Sequence, residues 1–231
     1  MVFCLSLRLF LMCCLIISFP ASRASAADTA ALPIEAVGKV NYAGFSRRTS
    51  CTGVLIEPQT VLTAAHCLKS AITGEHHRAE KVHFLSGYDR GAYLAHATGK
   101  SIRFMEGDSD ASKDRRFLFD AALLTLAEPM DIKPVERLNV VGPLPERFIH
   151  AGYVRSRPET LTITDSCKIL QLPTGIWASD CHSENGSSGG PFFALTPDGP
   201  RLAGIVVGGN DTGLTLVLPL ALMQSLFEAI R

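Results

Sequence analysis

The chain has 231 residues, 22 Lys and Arg against 22 Asp and Glu, and 47% hydrophobic residues. That apolar content supports one or two packed units and excludes an intrinsically disordered chain. The charge balance leaves no electrostatic footprint for a nucleic-acid partner.

The first predicted element is a leader. A start with one cation, Arg8, precedes the apolar run Leu9 to Phe19, then Pro20 and Ala24-Ser25-Ala26. This is the order of a secretory signal peptide over residues 1–26, cleaved after Ala26. The apolar run is about half the roughly 20 residues a spanning helix needs, so we expect a secreted or periplasmic protein with no membrane attachment after cleavage. Cleavage leaves 231 − 26 = 205 residues and removes Arg8 and Arg23, so the mature charge is 0 − 2 = −2. Ala27 to Ile34 is a candidate propeptide. Cys4, Cys13 and Cys14 depart with the leader; Cys51, Cys67, Cys167 and Cys181 remain. Four thiols in an exported chain point to two disulfides, with three pairings open. The CxxC spacing of a four-cysteine zinc site is missing, so no metal is expected, and nothing calls for a cofactor.

Further along, β-branched and aromatic runs alternate with Gly, Pro, Asn and Asp: Val37 to Tyr42, Thr52 to Ile56, Thr60 to Ala64, Lys81 to Leu85, Ala122 to Leu126, Thr160 to Thr164 and Leu202 to Val207. Such spacing predicts an antiparallel all-β barrel or sandwich. Glu106 to Arg116, rich in charge, Ser and Gly, reads as an exposed loop. Prolines and glycine at Val140 to Pro145 predict a linker, dividing the mature chain into 27–139 and 140–231. Leu222, Leu226, Phe227 and Ile230 fall at helical spacing, which predicts a C-terminal helix over Leu218 to Arg231.

Three runs carry chemistry. Gly186-Ser187-Ser188-Gly189-Gly190-Pro191 fits a flexible loop, but also the tight turn on which an acyl-transfer site displays a Ser hydroxyl beside uncovered backbone N–H groups. A hydroxyl needs a base oriented by a buried acid. Thr63-Ala64-Ala65-His66-Cys67 offers a His beside small residues at a strand end, and Phe119-Asp120-Ala121-Ala122 sets an acid against an apolar strand, where it is costly unless paired. Each alone reads as an ordinary core histidine or turn acid; the three together do not. His76 and His77 lie in a polar stretch and read as surface residues. Asn185-Gly186-Ser187 and Asn210-Asp211-Thr212 match the N-glycosylation pattern.

With TAAHC, DAALLTL and GSSGGP in the order His, Asp, Ser, the chain resembles the trypsin/chymotrypsin family of serine proteases. The resemblance implies two antiparallel β-barrels with a C-terminal helix, a site between them, and a triad of His66, Asp120 and Ser188. It implies an oxyanion hole from the N–H groups of Gly186 and Ser188, disulfides Cys51–Cys67 and Cys167–Cys181, and protein or peptide substrates for a monomer. The implied pocket is His182, Val206, Val207, Gly208 and Gly209.

The departures matter as much. Ser187 stands where most animal members have an Asp that pairs with a freed N-terminus, and no Ile-Val-Gly-Gly start is present. In this the chain looks more like bacterial members such as the V8-type glutamyl endopeptidases, yet Val206 replaces their pocket His. His182 replaces the Asp of trypsins, so cleavage after Arg or Lys is not expected. A neutral His182 with valines fits a small or apolar substrate side chain; a protonated His182 fits an acidic one. Two rival readings are a non-catalytic binding protein, opposed by the presence of all three triad residues, and an esterase, opposed by the strand-rich pattern and residue order.

Overall fold

The structure is a computed structural model that describes residues 31–42, 50–107, 116–139, 143–209 and 213–228. The leader, the centre of the 106–116 loop, the first residues of the linker and the Asn210 glycosylation pattern lie outside the described residues.

The first half is a closed six-stranded barrel: β1 (Val37–Tyr42), β2 (Ser50–Glu57), β3 (Thr60–Thr63), β4 (Val82–Ser86), β5 (Ala95–Phe104) and β6 (Ala122–Leu126), in the order β1-β2-β3-β6-β5-β4. Every pairing is antiparallel, and β4 returns to β1. Closure removes the exposed edges that a free sheet would present. The barrel is filled by Val54, Leu62, Phe84, Leu124 and Leu126, all fully or almost fully buried.

The second half contains β7 (Phe148–Val154), β8 (Arg157–Cys167), β9 (Ile169–Gln171), β10 (Trp177–Ser179), β11 (Pro191–Thr196), β12 (Gly199–Gly209) and β13 (Thr215–Pro219). They form a half-barrel in the order β8-β7-β11-β12-β13-β10-β9. Phe148 stacks on Phe192 at 5.2 Å and lies 5.6 Å from Trp177 at its centre. The segment before the linker already belongs here, because Leu138 N–H and Leu202 N–H exchange bonds with Leu202 and Glu136 carbonyls.

The C-terminal prediction needs correction. Leu218 and Pro219 end β13, a 3-10 turn follows at Leu220–Leu222, and the described α-helix, α1, spans only Gln224–Glu228. Leu218 pairs with Ile205 across the sheet, so strand pairing claims residues that the helical spacing had included. Leu226 and Phe227 do face the core.

Polar ties join the halves. Lys39 of β1 donates to the Pro158 carbonyl at 2.8 Å, lies 3.7 Å from the Glu159 carboxylate and sits 4.2 Å over the Tyr88 ring. Tyr88 donates to Glu159, and Tyr153 of β7 donates to the Tyr88 carbonyl at 2.8 Å. Burial holds the Lys39 ammonium below its ordinary pKa, with Glu159 opposing that drift. A buried cation is tolerable only with such partners.

Candidate active site

The candidate base and acid meet because of strand register. β3 pairs with β6 so that Thr63 faces Ala122; His66, on the 3-10 turn Ala65–Leu68 just past β3, therefore lands beside Asp120, just before β6. His66 Nδ1 lies 2.6 Å from Asp120 Oδ2, and the His66 backbone N–H donates to Oδ1 at 2.8 Å. With Nδ1–H donated to the carboxylate, Nε2 is the free base nitrogen. The Asp120 side chain is 12% exposed and the imidazole 48%, a guarded acid beneath an accessible base. The Cys51–Cys67 disulfide, Cα atoms 5.9 Å apart, fastens β2 to the residue following His66. Cys51, His66 and Cys67 group closely enough to hold an ion, but the two sulfurs are bonded to each other and offer no thiolate. The second disulfide joins Cys167 to Cys181 with Cα atoms 5.1 Å apart.

Ser188 sits on the segment between β10 and β11. The N–H groups of Ser187, Gly189 and Gly190 donate to the carbonyls of Glu184, Val206 and Ser187 at 3.0, 2.7 and 2.8 Å. Those of Gly186 and Ser188 have no hydrogen-bond partner among the described residues. Gly189 is obligatory: its φ is +79°, and a Cβ there would lie 2.2 Å from both the Thr52 carbonyl oxygen and Thr63 Oγ1. Ser187 is fully buried, and its hydroxyl accepts from Glu184 N–H at 3.3 Å.

Thr52 of β2 connects this turn to the first barrel. Its N–H donates to the Ser188 carbonyl at 2.9 Å, its hydroxyl donates to the Gly186 carbonyl at 2.8 Å, and that hydroxyl accepts from Tyr153 N–H at 2.9 Å. Thr63 in turn donates to the Thr52 carbonyl at 2.7 Å. Sequence reading missed Thr52, since its hydroxyl partners lie 101 and 134 residues away.

Also missed was His150 of β7, which packs behind the turn. A Cβ on Gly190 would come 2.9 Å from its Cε1, and one on Gly152 would come 3.1 Å from Cε1 and Nε2. Its Nδ1–H faces the Pro191 carbonyl at 3.2 Å, while Nε2 is buried without a partner among the described residues. Complete burial pushes this imidazole down to about 4, against the opposing pull of that carbonyl.

His66, Asp120 and Ser188 line one cleft of about 560 Å³, together with Asn185, Val207, Gly208 and Gly209. A second recess of about 380 Å³ adjoins Ser188 and is lined by Ser183, Val206, Gly208, Gly209 and Arg155 among others. His182 lines neither: its side chain is 75% exposed, with Nε2 3.8 Å from Glu184 Oε1. His76 and His77 stack on Phe104 and Tyr42, away from the cleft.

The trypsin family model matches residues 33–147. With the barrel and half-barrel just described, the chain belongs to the trypsin/chymotrypsin-like family of serine endopeptidases. Comparison with curated protein sequences gave no match. Among solved structures, a Glu endopeptidase in complex with MPD superposes with a TM-score of 0.69 at 16% identity, covering 88% of this chain and 94% of the other. The thermostable serine protease AL20 from an extremophilic microorganism gives 0.67 at 17%, covering 85% and 97%. Protease Anisep from Arthrobacter nicotinovorans gives 0.66 at 18%, covering 85% and 95%. At these identities the likeness is one of fold.

Proposed function

We propose that the chain is an exported serine endopeptidase in which Ser188 attacks the scissile carbonyl, His66 moves the proton and Asp120 orients and charge-stabilises the imidazole. As Ser188 Oγ bonds to the carbonyl carbon, its proton passes to His66 Nε2. The resulting oxyanion is received by the N–H groups of Gly186 and Ser188. Collapse breaks the C–N bond, His66 returns the proton to the leaving amine, and an acyl-enzyme remains. Water, deprotonated by the same imidazole, then releases the acid and restores Ser188.

The observation that carries this assignment is the doubly bonded Asp120–His66 pair in the same cleft as Ser188, beside two backbone donors without partners among the described residues. The two disulfides fit an oxidising compartment, and the leader-like first 26 residues supply a route there. Ser187 is neutral and buried, which favours an enzyme that does not depend on an N-terminal ion pair for activity.

The test is digestion of an unstructured protein by the wild type and by Ser188→Ala. Wild-type cleavage is expected, with turnover lowered on the order of a million-fold in the variant. No cleavage by the wild type, or equal cleavage by both, would overturn the assignment.

A further inference from the structure

Among the described residues, cations outnumber available carboxylates around Ser188. Lys69 and Arg116 line the larger cleft, and Arg155 lines the recess beside Ser188. The carboxylates there are Asp120 and Glu184, and both are engaged. Asp120 holds His66. Glu184 accepts the Ser156 hydroxyl at 2.9 Å and the Ser156 N–H at 3.2 Å, with His182 alongside at 3.8 Å. Among the described residues Arg155 makes no ion pair, and Asp120 and Glu184 are the only acids lining the two cavities.

The Arg155 backbone is also held in place, with its side chain exposed. It occupies the short turn between β7 and β8, with its backbone N–H donating to the Asn185 carbonyl at 2.7 Å. Together with the Ser156–Glu184 bonds, this fastens the turn to the segment leading into Ser188. The family resemblance puts the side chain of the residue supplying the scissile carbonyl against Val206, Gly208 and Gly209, and these residues line the recess together with Ser183 and Arg155. Both glycines lack a side chain to block it. Among the described residues the charged groups of this wall are Arg155 and Glu184, whose carboxylate is bonded to Ser156, so the guanidinium is the group there able to attract an anionic side chain.

Resting on the peptidase reading above, we propose that Arg155 is the specificity-determining residue and that the enzyme cleaves after acidic residues, with the substrate carboxylate entering the recess against the Arg155 guanidinium. This assigns acid selection to the β7–β8 turn, and not to His182 or to the Val206 position on β12.

The test uses paired fluorogenic peptides, identical except for Glu or Gln at the residue supplying the scissile carbonyl. For the wild type, kcat/KM for the Glu peptide should exceed that for Gln by about tenfold or more, the equivalent of one well-made charge contact. The ratio should shrink as salt rises. Arg155→Glu should bring it to one or below, and Arg155→Lys should preserve most of it. Equal wild-type cleavage of both peptides, or an unchanged ratio in Arg155→Glu, overturns the inference while leaving the peptidase intact. Failure to cleave any peptide overturns both.

Discussion

Thr52 lies outside the proposed triad yet is bonded to the turn that carries Ser188. Its hydroxyl carries two of the contacts that hold the turn before Ser188, so Thr52→Val, nearly isosteric, leaves the Gly186 carbonyl and Tyr153 N–H without those partners. We predict a stability loss of about 1–3 kcal/mol and a fall in kcat of roughly 10- to 100-fold with KM little changed, while Thr52→Ser restores most activity. Chemical denaturation and steady-state kinetics on the three proteins check this. His150 gives a pH-dependent companion. Its neutral buried form means that the unfolded chain takes up a proton below about 6.5 that the folded chain resists until about 4. Stability therefore falls as pH drops through that window, by about 3 kcal/mol in all, and levels off below it. His150→Leu should flatten this slope in denaturation curves measured from pH 7 to 4; an unchanged slope would assign the acid sensitivity to other groups. The triad candidates were legible because each announces itself within a run of a few neighbours. Thr52, His150 and Arg155 were not, because their chemistry arises from partners brought close only by the fold.

Strand pairing decided where sequence patterning succeeded and where it failed. Val37–Tyr42 and Ala122–Leu126 were read with their observed bounds, since their apolar, β-branched character fits a wall buried in a barrel. β5 escaped notice: Ala95–Phe104 is mostly small, polar or charged, and only Ala97 and Gly99 are fully inward. β7 was missed although all seven residues are buried, because His150 and Gly152 interrupt the apolar pattern. The last two residues of β13, Leu218 and Pro219, were absorbed into a helix that begins only at Gln224. Covalent ties reinforce these pairings. The Cys167–Cys181 bridge closes 14 residues between the end of β8 and the segment before Ser188. Replacing both cysteines by Ser should cost about 3 kcal/mol by the chain-entropy account, read as a shift in denaturation midpoint, with measurable cleavage remaining at low temperature. An unchanged midpoint would show that this loop is not constrained by the bridge.

In the proposed mechanism the two halves supply different parts of one reaction: His66 and Asp120 stand at the edge of the closed barrel, and Ser188 on the half-barrel. The contacts of Lys39 with β8 and of Thr52 with the Ser188 turn hold those parts in one cleft. The broad two-part β architecture was readable from the spacing of strands and turns together with the three motifs. The openness of the second sheet was not, since closure depends on which distant edges pair. The most direct test of the central claim is labelling with a serine-directed fluorophosphonate, followed by peptide mass spectrometry. Stoichiometric modification on Ser188 alone, abolished in His66→Ala and by prior unfolding, is the predicted result. Label on another residue, or modification of Ser188 that persists at the same rate without His66, would contradict it.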